Sequence, residues 1–223
     1  MIDELEKADA VRDDATDKKG STLHILSYVV SDEKKETYTV SFDNGEILDF
    51  TAEEFFENSL YDTDVPLGIS FDDLILKIYS KRAFYEGVRF VLFSKKTVSQ
   101  VRDHLHGLGF DETCTEFAVT ALLEEGHLDD ISYAKKFIRK AVDSRIVSCM
   151  MIVCELRQKG ISEDITRQCL DEMDIDDYTL ASKAYMKKKA LGVNDVVKIR
   201  RFLAGKGFSG DAIHRAVNMD YME

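Results

Sequence analysis

The chain has 223 residues, of which 44% are apolar and 32% charged, with one Pro, no Trp and four Cys. That places it in the ordinary soluble class, one or two domains long and able to bury a core without a disulfide or metal staple. No apolar run approaches the roughly 18 residues of a membrane span, and a net charge of −12 repels bulk nucleic acid.

The charge is uneven. Residues 1–70 hold six Lys and Arg against 18 Asp and Glu, whereas residues 71–223 hold 24 of each. Residues 1–20 are acidic, lack an apolar core and show little periodicity, so they are expected to be a mobile acidic tail rather than a signal peptide. Cys114, Cys149, Cys154 and Cys169 form no CxxC pair and read as reduced thiols of a cytoplasmic protein.

A small strand-and-helix module is expected over residues 21–68. The stretch from Leu23 is rich in branched and aromatic residues, and the next run alternates, with Tyr38, Val40 and Phe42 on one face. Asp43-Asn44-Gly45 is a hairpin signal. A three-residue loop with Gly45 left-handed sets Val40 opposite Leu48 and Tyr38 opposite Phe50, keeping the apolar face together. A two-residue loop would pair Val40 with Asp49 instead. Thr51 and Glu54 have capping-box spacing ahead of Phe55, Phe56 and Leu60, and Pro66 and Gly68 end the module.

Helical periodicity then runs onward, and it repeats. Leu105, Leu156 and Leu203 each precede a Gly by four residues, at Gly109, Gly160 and Gly207. An apolar residue follows each Gly: Phe110, Ile161 and Phe208. Val101, Ile152 and Ile199 stand four residues before the Leu, and Thr97, Ser148 and Asp195 stand eight before it. A Thr, Ser or Asp starts a helix by accepting from its free N–H groups, apolar residues one turn apart make a buried stripe, and Gly supplies a left-handed C-cap. With a preceding helix (roughly 71–93, 129–144 and 176–191) each copy makes three helices. The chain is therefore expected to be mainly α: three tandem three-helix repeats, over 69–126, 127–174 and 175–223, stacked in an elongated curved array.

These segments resemble those of the bacterial regulatory protein RecX family. Leu128-Asp129-Asp130 with Tyr133-Ala134 is similar to its "Leu-Asp-Asp, two residues, aromatic, Ala" signature. Glu155-Leu156-Arg157-Gln158-Lys159-Gly160-Ile161 resembles its "Glu-Leu-x-x-Lys-Gly-Ile" segment, and Leu203 through Ser209 its C-terminal "Leu-x-x-Lys/Arg-Gly-Phe-Ser". Ser94-Lys95-Lys96-Thr97 through Arg102 is similar to its first-repeat opening, and residues 21–66 to the N-terminal extension of some members. The resemblance covers about residues 75–220. It implies a non-enzymatic, monomeric regulator of the RecA recombinase in recombination, DNA repair and the SOS response. Such a regulator lies along the groove of the RecA filament on single-stranded DNA and inhibits ATP hydrolysis and strand exchange. Many relatives are basic. The acidic surplus here lies outside the repeats, so RecA itself, with at most weak direct DNA contact and no membrane, is the expected partner.

No residue pattern points to a cofactor or to catalysis. Gly205-Lys206-Gly207-Phe208-Ser209-Gly210 matches GxGxxG but follows a helix rather than a strand, and its aligned copies share only the middle Gly. Asp129 and Asp130 read as caps of the helix beginning near Ile131. Asp171, Asp174, Asp176 and Asp177 lack the Gly and closing Glu of a calcium loop and read as a solvated helix junction. The basic residues remain. Lys95, Lys96, Arg102, Lys136, Arg139, Lys140, Arg145, Arg157, Lys159, Lys187, Lys188, Arg200, Arg201 and Lys206 are expected on the side opposite the apolar stripe, as a partner face. The competing reading is a helical-repeat adaptor for a partner other than RecA, contacted through the acidic module.

Overall fold

The computed structural model describes residues 23–32 and 36–219, so the acidic stretch 1–20 lies outside the described residues. The chain divides into two compact units, Met1–Tyr79 and Ser80–Glu223.

In the first unit, β1 (Ile25–Asp32), β2 (Thr37–Phe42) and β3 (Ile47–Thr51) form an antiparallel sheet in the order β1-β2-β3. Tyr38 stands opposite Phe50 and Val40 opposite Leu48, the register of the three-residue loop. Gly45 takes φ +91°, which a side chain would resist. Thr51 caps α1 (Ala52–Glu57): its hydroxyl accepts from the Glu54 N–H, and its own N–H donates to the Glu54 carboxylate. Val40, Phe42, Phe50, Phe55 and Leu60 are buried together with Leu74 and Ile78 from α2 (Phe71–Phe93).

The second unit holds the rest of α2, then α3 (Val98–Gly107), α4 (Glu112–Glu124), α5 (Asp130–Ser144), α6 (Cys149–Arg157), α7 (Glu163–Glu172), α8 (Asp177–Ala190), α9 (Val196–Ala204) and α10 (Gly210–Asn218). Three cores run along it. Ala83, Val101, Leu105 and Leu122 form one, Ile138, Ile152, Leu156 and Ile161 the next, and Ala184, Ile199, Leu203 and Val217 the last. Each middle helix, α3, α6 and α9, is capped by the residue that the repeat assigns: Thr97, Ser148 and Asp195. Each ends identically. Phe110, Ile161 and Phe208 donate their N–H to the carbonyls of Leu105, Leu156 and Leu203, while Gly109, Gly160 and Gly207 hold φ of +91°, +80° and +80°. This is a Schellman turn, and it explains why the repeat requires Leu, Gly and a following apolar residue at fixed offsets.

The acidic helix starts differ from expectation. Asp129 caps α5, accepting from the Ser132 N–H. Asp130 does not: its carboxylate accepts from Val98, the first N–H of α3, at 3.0 Å. Nor is the 171–177 junction merely solvated. Asp176 caps α8, and Asp177 accepts from the Cys149 N–H of α6 at 2.8 Å and from the Ser209 N–H at 3.3 Å. The carboxylate one residue past each cap thus serves a neighbouring helix instead of its own.

Candidate partner-binding face

The basic residues singled out in sequence are distributed over two grooves and several isolated positions. The first groove, about 360 Å³, lies between the α2–α3 connection and α5. Lys95 and Lys96 form one wall, Lys136 and Lys140 the other, and Tyr133 and Phe137 line it between them. The spacing of α5 accounts for this. Tyr133, Lys136, Phe137 and Lys140 stand at i, i+3, i+4 and i+7, and so share one side of the helix, while Ala134, Ile138 and Ala141 are buried on another. Lys96 is set by its ring neighbour, with Nζ 4.5 Å from the centre of Phe90, which itself stacks on His104 at 4.0 Å. Lys159, at the end of α6, places Nζ 5.9 Å from the Phe137 ring.

The second groove, about 330 Å³, lies one repeat further on. Arg145, Ile146 and Val147 of the α5–α6 connection form one wall with Met151, and Lys187, Phe202 and Lys206 the other. Lys188 and Lys206 place Nζ 4.1 and 5.9 Å from the Phe202 ring. The two grooves correspond. Lys140 and Lys187 occupy the same place in α5 and α8, 47 residues apart, and Lys159 and Lys206 are separated by the same interval.

Among the described residues, Lys95, Lys136, Lys140, Lys187 and Lys206 have no carboxylate within ion-pair distance. Two of the arginines are engaged inside the repeats. Arg102 holds Glu116 with two guanidinium nitrogens, tying α3 to α4, and Arg145 holds Glu155 in the same way. The hydrogen bonds from Arg102 keep the Glu116 carboxyl below its usual range. Arg139, Arg157, Arg200 and Arg201 are exposed and line neither groove. The expected single face is therefore two basic–aromatic grooves, with Arg102 outside them.

The rest of the surface offers little chemistry. Among the described residues no three His, Cys, Asp or Glu cluster as a metal site would require, and no helix is long and apolar enough to cross a membrane. Burial and the nearby Asp177 carboxylate push the Cys149 thiol up to about 12, away from nucleophilic use.

Comparison with known proteins points one way. No family model matches the chain. A "Regulatory protein RecX" of Streptococcus uberis is 28% identical over 200 residues, which is 84% of this chain and 74% of that protein. A protein of the same name from Vibrio parahaemolyticus is 33% identical over 121 residues, half of this chain and 74% of that one. A solved structure described as "Crystal structure of regulatory protein RecX" superposes with a TM-score of 0.59 at 19% identity, over 90% of this chain and all of that one.

Proposed function

The chain belongs to the RecX family of regulatory proteins, and from that premise we propose that it binds along the RecA filament on single-stranded DNA and restrains ATP hydrolysis and strand exchange. It does so in the cytoplasm as a monomer and without chemistry of its own. The observation that carries this reading is the recurrence of a basic–aromatic groove at successive repeat junctions, with Lys140 and Lys187 at matching places. A partner built of identical protomers presents the same surface at regular intervals, and a repeating face is suited to it. A basic groove with aromatic lining suits protein and single-stranded nucleic acid alike, so the choice of RecA itself rests on the family and on the absence of any net positive charge over residues 71–223. The acidic excess of residues 1–70 works in the same direction.

The test is ATP turnover by RecA on single-stranded DNA as the purified chain is added. A fall in turnover that saturates with added chain is expected. Unchanged turnover at saturating amounts would overturn the reading, and capture of a different protein by residues 1–70 would favour the adaptor instead.

A further inference from the structure

We propose that Asp130 and Asp177 are positioning residues that couple successive repeats into one mechanical unit and thereby hold the two walls of each lysine groove in register. The part of this that concerns partner binding rests on the function proposed above; the coupling itself does not.

Each of these residues opens the first helix of its repeat, α5 or α8, and each sends its carboxylate out of that helix. The donor is the same atom both times: the first N–H of the middle helix in the preceding repeat, Val98 for Asp130 and Cys149 for Asp177. That N–H has no partner within its own helix. The cap hydroxyl of Thr97 or Ser148 already serves the residue three further on, Gln100 or Met151. A carboxylate arriving from the next repeat therefore completes the helix start, and does so with charge at the positive end of the helix dipole.

A second bond reinforces the first junction. The Thr97 hydroxyl donates to the Lys159 carbonyl at 2.6 Å, so two adjacent residues of the first repeat each donate a hydrogen bond to the second. At the second junction, Asp177 additionally accepts from Ser209, joining three helices through one side chain.

The position behaves as a coupler and not as a helix cap. It is Asp only where a repeat has a predecessor: 51 residues before Asp130, in α2, stands Tyr79. In the third repeat Val196 takes the place of Val98 and Cys149, and there Asp195 accepts from Val197 and Lys198. Asp129 and Asp176 already cap α5 and α8, so neither helix start needs the Asp that follows.

The grooves lie beside these bonds. Lys95 and Lys96 immediately precede the Thr97–Val98 helix start, and Lys136 and Lys140 lie on the helix that Asp130 opens. The Val98–Asp130 hydrogen bond therefore joins the two walls of the first groove, as Cys149–Asp177 joins Arg145 and Val147 to Lys187. Without it, each wall moves with its own repeat, and two grooves no longer meet a regular partner simultaneously.

The test compares the full chain with Asp130→Ala and Asp130→Asn, by hydrogen exchange resolved to α3, α6 and α9. In the unaltered chain the slowest amides of the three helices are expected to open together. In Asp130→Ala those of α3 should exchange at least about tenfold faster than those of α6 and α9. Asp130→Asn, which keeps an acceptor oxygen, should restore the common behaviour. Uniform acceleration across all three helices in the Ala variant would mean a purely structural role and would overturn the proposal, as would independent opening in the unaltered chain. Should the Ala variant not fold, the Val98 and Cys149 amides of the unaltered chain decide. Protection like that of the helix interiors supports the coupler, and exchange at the rate of an exposed amide overturns it.

Affinity for the RecA filament on single-stranded DNA provides the functional arm. It should fall about tenfold in Asp130→Ala and stay within about twofold in Asp130→Asn. Equal affinity in all three chains would overturn the positioning role. If the unaltered chain does not bind the filament, the proposed function fails while hydrogen exchange still judges the coupling.

Discussion

Gly160 sits so close to Ser99 of the preceding repeat that a β-carbon on it would stand 2.0 Å from the Ser99 Cβ. Gly207 meets Ser148 of the preceding repeat in the same way, at 2.9 Å from the hydroxyl oxygen, whereas Gly109, with no repeat before it, has open space. One motif position thus performs two tasks, a left-handed turn in all three copies and a close approach in two.

The three Gly→Ala variants should therefore rank. Gly109→Ala meets no clash but strains the backbone at φ +91°, at a cost of about 1–2 kcal/mol. Gly207→Ala should cost more, because Ser148 must shift, and Gly160→Ala most, since overpacking adds roughly 1–3 kcal/mol. Urea unfolding of the three variants provides the comparison; equal losses would show that the repeats do not approach one another here.

Leu105, Leu156 and Leu203 are each fully buried. Leu156→Ala, in the middle core, should cost about 2–5 kcal/mol by lost burial and the cavity left behind. Replacing Arg102 with Gln, by contrast, removes an ion pair that is about two-fifths exposed at each end, and should cost no more than about 1 kcal/mol. Denaturation midpoints at constant m-value separate the two.

Acid should weaken the helix starts. Asp111 accepts from the Cys114 N–H, and Asp129 from the Ser132 hydroxyl and N–H, which holds both carboxyls below the usual aspartate range. A folded pKa below the unfolded one means that their contribution is complete above about pH 4, the unfolded value, and is lost as pH falls through the lower folded value. Asp129→Asn keeps an acceptor for the cap but removes the titration. Its unfolding free energy should consequently fall less steeply below pH 4 than that of the unaltered chain. Identical slopes would remove Asp129 from the acid response.

Cys149 should be inert in the folded chain. With its thiol at about 12, only ~1 in 10⁴ molecules carries the thiolate at pH 8. Iodoacetamide labelling at Cys149, followed by mass spectrometry, should appear only as the protein unfolds; rapid labelling under native conditions would contradict the burial described.

Much of this was legible in the sequence, for reasons that are local. The Val40–Leu48 register follows from the period of a strand and the length of one turn, and the capping bonds of Thr97, Ser148 and Asp195 reach no more than three residues along the chain. What was not legible depends on distant partners. Asp130 and Asp129 are the same residue type at the same helix start, and nothing within several residues reveals that one of them reaches Val98, 32 positions earlier. The basic residues could be placed on helix faces, but which faces meet depends on how one repeat is rotated on the next. That rotation gathers Lys95 and Lys96 with Lys136 and Lys140, and leaves Arg200 and Arg201 apart from both grooves.

The most direct measurement is co-sedimentation of the chain with RecA filaments on single-stranded DNA, beside bare single-stranded DNA and a Lys136→Glu/Lys140→Glu double variant. Both lysines are exposed, so the variant should fold normally. The account predicts that the unaltered chain pellets with the filament and hardly with bare DNA, and that the variant loses most of its filament binding and much of its salt dependence. Equal pelleting of the two chains, or pelleting that follows the DNA whether or not RecA is present, would contradict it.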